Sequence, residues 1–135
     1  VEKILKEVYK IQDSELEFIS GKPFLKNRKK YISISHSNQY IALAFSDFNC
    51  GLDIEKIKNR DYVSISKRMK FNSKTLEDFY ICWTKYESEY KLGETAKSSK
   101  VFKLNDYIIN AQSTNSKEIF AIYFQTGNIF PKSIV

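Results

Sequence analysis

The stretch Tyr31-Ile32-Ser33-Ile34-Ser35-His36-Ser37-Asn38-Gln39-Tyr40-Ile41-Ala42-Leu43-Ala44-Phe45-Ser46-Asp47-Phe48-Asn49-Cys50-Gly51-Leu52-Asp53-Ile54-Glu55 decides the fold. Tyr31 to Ser35 reads as a strand, and Ser35-His36-Ser37-Asn38 as a turn rich in hydroxyl and amide groups. Tyr40 to Ser46 is a near-continuous apolar run, expected in a central strand or one buried on both faces. Asp47 to Asn49 makes a short turn, and Cys50 to Glu55 a further strand. Two short connections between consecutive strands predict an antiparallel meander.

Outward from this stretch, Ile4, Leu5, Val8 and Ile11 fall on one helical stripe, and Leu16 and Phe18 alternate as in a short strand. Gly21-Lys22-Pro23 breaks that strand, and Asn27 to Lys30 is a basic loop. Downstream, Tyr62 to Met69 suits a short helix. A long helix follows, capped by Ser73 and ended by Leu92-Gly93. Thr95 to Lys100 is polar, basic and loop-like. Tyr107 to Ala111 and Ile119 to Phe124 read as two more strands, joined across Gln112 to Lys117, and the tail from Gly127 is weakly patterned. The class is α+β, with an antiparallel sheet packed against the long helix.

The bulk properties agree with one packed domain over residues 1–135: hydrophobic residues make up 42% and twenty residues are Phe, Tyr or Trp. The net charge of +6 favours anionic partners: phosphate-bearing ligands, an acidic protein or nucleic acid. Cys50 and Cys82 follow neither a metal-ligand spacing nor a disulfide framework, so reduced thiols in a cytoplasmic protein are expected. The sequence has no apolar run of the ~20 residues that span a membrane, and no signal peptide is visible. Val1 begins a segment that reads as a helix already under way, so further sequence upstream is expected.

Asp53 and Glu55 stand two apart in a strand and so point to one face. Trp83, Glu87 and Lys91 recur every four residues and form one ridge of the long helix. Strand and helix carboxylates that converge make an oxygen-only ligand set, which suits Mg²⁺. Taken alone, Trp83 reads as a core residue and Glu87–Lys91 as an ordinary surface ion pair, worth about 0.3–0.5 kcal/mol. His36 is the single histidine. Its neighbours Ser35, Ser37 and Asn38 make a donor-rich turn that suits an anion, with Lys22 within reach of the same place.

Four motifs occur in order: Gly21-Lys22-Pro23, Ile34-Ser35-His36-Ser37, Gly51-Leu52-Asp53-Ile54-Glu55, and Trp83-Thr84 with Glu87 and Lys91. In order and spacing they resemble the 4′-phosphopantetheinyl transferases, in particular the surfactin-synthetase-activating type. The resemblance implies that family's fold and its chemistry. The phosphopantetheine arm of coenzyme A passes to a serine of an acidic acyl or peptidyl carrier protein, and adenosine 3′,5′-bisphosphate leaves. It further implies that Asp53, Glu55 and Glu87 hold Mg²⁺, that Glu87 deprotonates the serine directly or through water, and that Lys91 stabilises the departing phosphate. Lys22, Ser35 and His36 match positions that grip the 3′-phosphate of coenzyme A.

The chain departs from the family pattern at three places. Tyr86 stands where a lysine usually precedes the metal-binding Glu. Lys85, one position earlier, diverges from it by about 100° around the helix and does not substitute. The sequence begins after the opening stretch of the family's first half; if that stretch is absent, a second copy is expected to complete the coenzyme A cleft in a homo-oligomer. Thr95 to Lys100 replaces the Gly-rich, Leu-Pro segment that often follows the helix. The alternative function is a non-catalytic module that binds coenzyme A or a carrier protein. Nucleic acid is disfavoured as a partner, because most aromatic residues fall at core-period positions.

Overall fold

In a computed structural model of the chain, the described residues are 16–19, 22–25, 31–117, 121–126 and 132–133. The helix expected over Ile4 to Ile11 and the basic loop from Asn27 to Lys30 lie outside them. The element order is β1 (Leu16–Ile19), β2 (Lys22–Leu25), β3 (Tyr31–Ser37), β4 (Tyr40–Ser46), β5 (Cys50–Lys56), α1 (Tyr62–Met69), α2 (Leu76–Leu92), β6 (Ser98–Leu104), β7 (Tyr107–Ser113), β8 (Ala121–Thr126) and β9 (Lys132–Ser133). The strands form two antiparallel sheets, β1-β2-β3-β4-β8-β9 and β5-β7-β6. The class is therefore α+β, as expected.

β4 is central, between β3 and β8, and Ala42 to Ser46 are all buried. The turn before it differs from the expectation. Ser35, His36 and Ser37 continue β3, paired with Ala42, Ile41 and Tyr40, and the chain reverses at Asn38-Gln39. Asn38 adopts φ 52°, a left-handed conformation that asparagine tolerates better than its neighbours in this stretch.

The meander also ends earlier than expected. After Asp47 to Asn49 the chain leaves the first sheet, and β5 pairs with β7 in the second, from Cys50↔Ser113 to Lys56↔Tyr107. The physical reason lies in the serines of β3. On the side of β5 away from β7, the amides of Leu52, Ile54 and Lys56 donate to the hydroxyls of Ser33 (2.9 Å), Ser35 (3.1 Å) and Ser37 (3.1 Å). Side chains thus do for β5 what a neighbouring strand would do, and cover an open edge.

The two sheets share a core. Ala42 and Ala44 of β4 pack with Cys50, Leu52 and Ile54 of β5 and with Tyr107, Ile109 and Ala111 of β7. Phe102 and Leu104 of β6 lie against this cluster. β6 starts within the expected loop, at Ser98. Its alternately exposed residues and its position at the sheet edge explain why its composition is so polar. Both cysteines are free thiols, Cys50 in the core and Cys82 half-buried.

α2 packs on the other face of the second sheet. Thr75 caps it, not Ser73: the Thr75 hydroxyl accepts from the Asp78 amide at 3.0 Å, the third position of the helix. Gly93 ends it in a left-handed conformation, φ 73°. α1 has the expected bounds, capped by Asp61.

Gly51 sets how close α2 comes to β5. A Cβ there would lie 2.1 Å from the Ser88 carbonyl oxygen and 2.7 Å from the Leu92 amide nitrogen, both backbone atoms that cannot swing aside. Gly51→Ala is expected to cost ~2–3 kcal/mol or more, the upper end for overpacking, because a whole helix must move. Urea denaturation measures this, and an unchanged midpoint would contradict the close approach.

Candidate functional site

Alternation along β5 sends Cys50, Leu52 and Ile54 into the shared core. Gly51, Asp53 and Glu55 therefore fall on the face that carries α2. Asp53 is only 4% exposed, and Glu55 is half-buried. Opposite them, Glu87 is half-buried one helical turn before Lys91. The charge of Glu87 raises the proton affinity of both Asp53 and Glu55, so the three carboxylates form one electrostatic group.

Asp53 is the fixed member of this group. Its Oδ1 accepts from the Ser35 hydroxyl at 3.0 Å and from the Lys91 ammonium at 3.3 Å. Ser35 accepts the Ile54 amide through the same oxygen, so one hydroxyl joins the β5 backbone to the Asp53 carboxylate. Lys91 also donates to the carbonyls of Leu52 (3.0 Å) and Ile34 (3.4 Å), one on each side of the seam between the sheets. Its ammonium also forms an ion pair with Asp53, so this ridge reaches across to β5. Asp53 Oδ2 is buried and, among the described residues, has no hydrogen-bond partner.

Contacts thus join Asp53, Lys91 and Ser35, and Glu55 and Glu87 act on them through charge. The structure does not bring His36 to them. His36 is exposed and, as the strand neighbour of Ser35, projects from the opposite face of β3. The donor-rich turn expected at Ser35 to Asn38 is thus a strand end, in which Ser35 and His36 point to opposite faces. Lys22 opens β2 opposite Ile19, and its side chain lies outside the described residues. Trp83 packs in an aromatic cluster, stacked on Phe79 at 6.1 Å.

A polar layer beneath α2 escaped the sequence reading. Gln112 donates to the Ser88 hydroxyl (3.3 Å) and to Asn110 Oδ1 (2.8 Å). Asn110 donates to the Ile81 carbonyl at 3.4 Å, and the Thr84 hydroxyl to the Tyr80 carbonyl at 2.7 Å. Thr84, Ser88 and Gln112 are fully buried. The available signal was Asn110 and Gln112 two apart in β7, placed on one face of an otherwise buried strand. These bonds hold α2, and with it Glu87 and Lys91, in register with β5.

The chain matches no protein-family model and no curated protein.

Burial pushes the Asp53 carboxyl above its ordinary value, against the pull of Lys91 and the Ser35 hydrogen bond. Burial also pushes Glu55 up to about 7 from 4.5, helped by the charge of Asp53 and opposed by Arg60. Crowded, desolvated carboxylates of this kind are relieved by a proton or by a cation. The donors are all oxygens, the type a hard divalent ion takes, and among the described residues the buried Asp53 Oδ2 has no partner. Among the described residues, no group of three or more His, Cys, Asp or Glu side chains lies close enough together to hold a metal ion.

The raised value at Glu55 has a definite sign. Between 4.5 and about 7 the folded protein holds a proton that the unfolded chain releases, so this group's contribution to stability falls as pH rises through that window. Glu55→Gln removes the penalty. It is expected to raise the thermal midpoint by about 3–6 °C at pH 8 and to leave it nearly unchanged at pH 4. Melting curves of both proteins across this range check it, and an equal shift at both pH values would refute the assignment.

Proposed function

We propose that the chain is a Mg²⁺-dependent 4′-phosphopantetheinyl transferase. The reading rests on the sequence resemblance. The observation that carries it is the buried Asp53 carboxylate, held by Ser35 and Lys91 on the β5 face that also carries Glu55 and meets the helix of Glu87. In this reading the serine oxygen of an apo carrier protein attacks the phosphorus that bears the pantetheine arm of coenzyme A. The phosphoanhydride bond breaks, and adenosine 3′,5′-bisphosphate leaves with the bonding electrons. Mg²⁺, held by Asp53, Glu55 and Glu87, supplies charge neutralisation at the pyrophosphate. Glu87 takes the serine proton directly or through water.

The geometry refines two of the expected roles. Lys91 Nζ is anchored to Asp53 and to two backbone carbonyls, and its side chain is 30% exposed. It holds Asp53 in place and presents positive charge at the site floor, where leaving-group charge develops. Ser35 orients Asp53, which leaves His36 and Lys22 as candidates for the 3′-phosphate. The same anchoring of Lys91 favours one second reading, a module that binds coenzyme A or a carrier protein without transfer.

Mass spectrometry of apo acyl carrier protein incubated with the chain, coenzyme A and Mg²⁺ tests the proposal. The expected result is a gain of about 340 Da, the mass of the arm, absent with Glu87→Ala or after chelation. Coenzyme A binding without a gain on several apo carriers would favour the second reading. Neither binding nor gain would overturn both.

A further inference from the structure

The loop between β5 and α1 carries a cation whose placement the site does not yet explain. Ile57 to Asp61 leaves the end of β5 immediately after Glu55 and Lys56. It is pinned rather than loose. The Ile57 amide donates to the Asp106 carbonyl at 2.7 Å, and the Tyr62 amide donates back to the Arg60 carbonyl at 2.8 Å. The Tyr80 hydroxyl accepts from the Lys58 amide and donates to the Lys58 carbonyl, both at 3.2 Å. Tyr80 is itself 2% exposed in α2, two turns before Glu87, so this loop is fastened to the helix that carries the site.

On that anchor the Arg60 guanidinium lies over the Tyr80 ring, 5.7 Å from its centroid. Cation–π seating of this kind holds a guanidinium in place while leaving its N–H groups able to donate. Arg60 is exposed, and among the described residues it forms no ion pair within 4.0 Å. Its charge nevertheless reaches Glu55. Two cations of different character therefore act on the carboxylates. Lys91 is locked to Asp53 and the backbone, whereas Arg60 is oriented but unspent.

The position that would supply a further cation from the helix itself does not. Tyr86 packs toward the aromatic cluster, with its ring 6.1 Å from that of Trp83 and 6.3 Å from that of Phe71. Lys85 is paired with Glu89 along the helix surface. A polyanionic substrate brought to Asp53, Glu55 and Glu87 therefore finds its donor fork in the loop.

We propose that Arg60, seated on Tyr80, is the phosphate-binding residue of this site, and that it takes a pyrophosphate or phosphate-ester oxygen beside the metal. The inference rests on the proposed phosphoryl-transfer site and names the residue that recognises its anionic substrate. A planar guanidinium presents two parallel donors to phosphate oxygens, a geometry that an ammonium cannot reproduce.

Titration calorimetry on the intact chain tests this with Mg²⁺ alone and with pyrophosphate in the presence of Mg²⁺. Arg60→Ala is expected to weaken pyrophosphate binding roughly tenfold or more, and Arg60→Lys to recover part of that loss. The affinity for Mg²⁺ alone should change less than about threefold. An equal loss of Mg²⁺ and pyrophosphate affinity would overturn the proposal, because Arg60 would then act only through the charge on Glu55. Unchanged pyrophosphate binding in Arg60→Ala, with wild-type binding intact, would overturn the role of Arg60 and leave the site standing. Failure of the wild type to bind Mg²⁺ and pyrophosphate would overturn the site and the role together. Melting curves of both variants confirm that each is folded, since Arg60 is exposed.

Discussion

The open edge of β5 is the constraint on which the rest of the structure depends. One side of this strand is satisfied by β7, and the other presents three amides to the first sheet. A buried amide left without a partner costs about 1–3 kcal/mol, so an edge of this length cannot be left bare. Ser33, Ser35 and Ser37 meet it with hydroxyls on one face of β3. The arrangement demands small side chains, and their cross-strand partners Ala44 and Ala42 keep the approach close. Gly51 does the same on the opposite face, where α2 arrives. Two sheets and a helix are thereby brought to one short strand.

Function follows from that crowding. A strand closed on every side buries its own polar side chains, and Asp53 is the result: a carboxylate that needs both Ser35 and Lys91 to be tolerated. Glu55 and Glu87 stand at the rim of the same contact, and burial and mutual repulsion raise the proton affinity of Asp53 and Glu55. Such a group lowers the stability of the fold at neutral pH. The proposed cation would relieve that cost. The Asn110–Gln112 layer, by contrast, is neutral and serves register, holding the helix at the angle that the carboxylates require.

Much of this was legible in the residues, for identifiable reasons. The strand period placed Asp53 and Glu55 on one face, and the apolar run of β4 marked a central strand. Gly93 marked the end of α2 because few other residues adopt its conformation. The division into two sheets was not legible, since a three-residue turn serves a hairpin and a crossing between sheets equally well. The cap of α2 was misread because Ser73 and Thr75 are both competent hydroxyls, and only geometry shows which one reaches the third amide. β6 was hidden by its polar edge position. Ser35 and Ser37 were read as part of a turn because the composition there is that of a turn. Their role as acceptors for a neighbouring strand depends on a contact 19 residues away in sequence.

The central claim is that Asp53, Glu55 and Glu87 form one coupled cation site at the β5–α2 seam. Carboxyl-carbon NMR titration of these three residues, with and without Mg²⁺, tests it most directly. The account predicts that Glu55 titrates near 7 in the absence of metal, that its midpoint falls in Glu87→Gln, and that Mg²⁺ moves the Asp53 and Glu55 midpoints to lower pH together. Independent titrations, indifferent both to Mg²⁺ and to the Glu87 substitution, would contradict it.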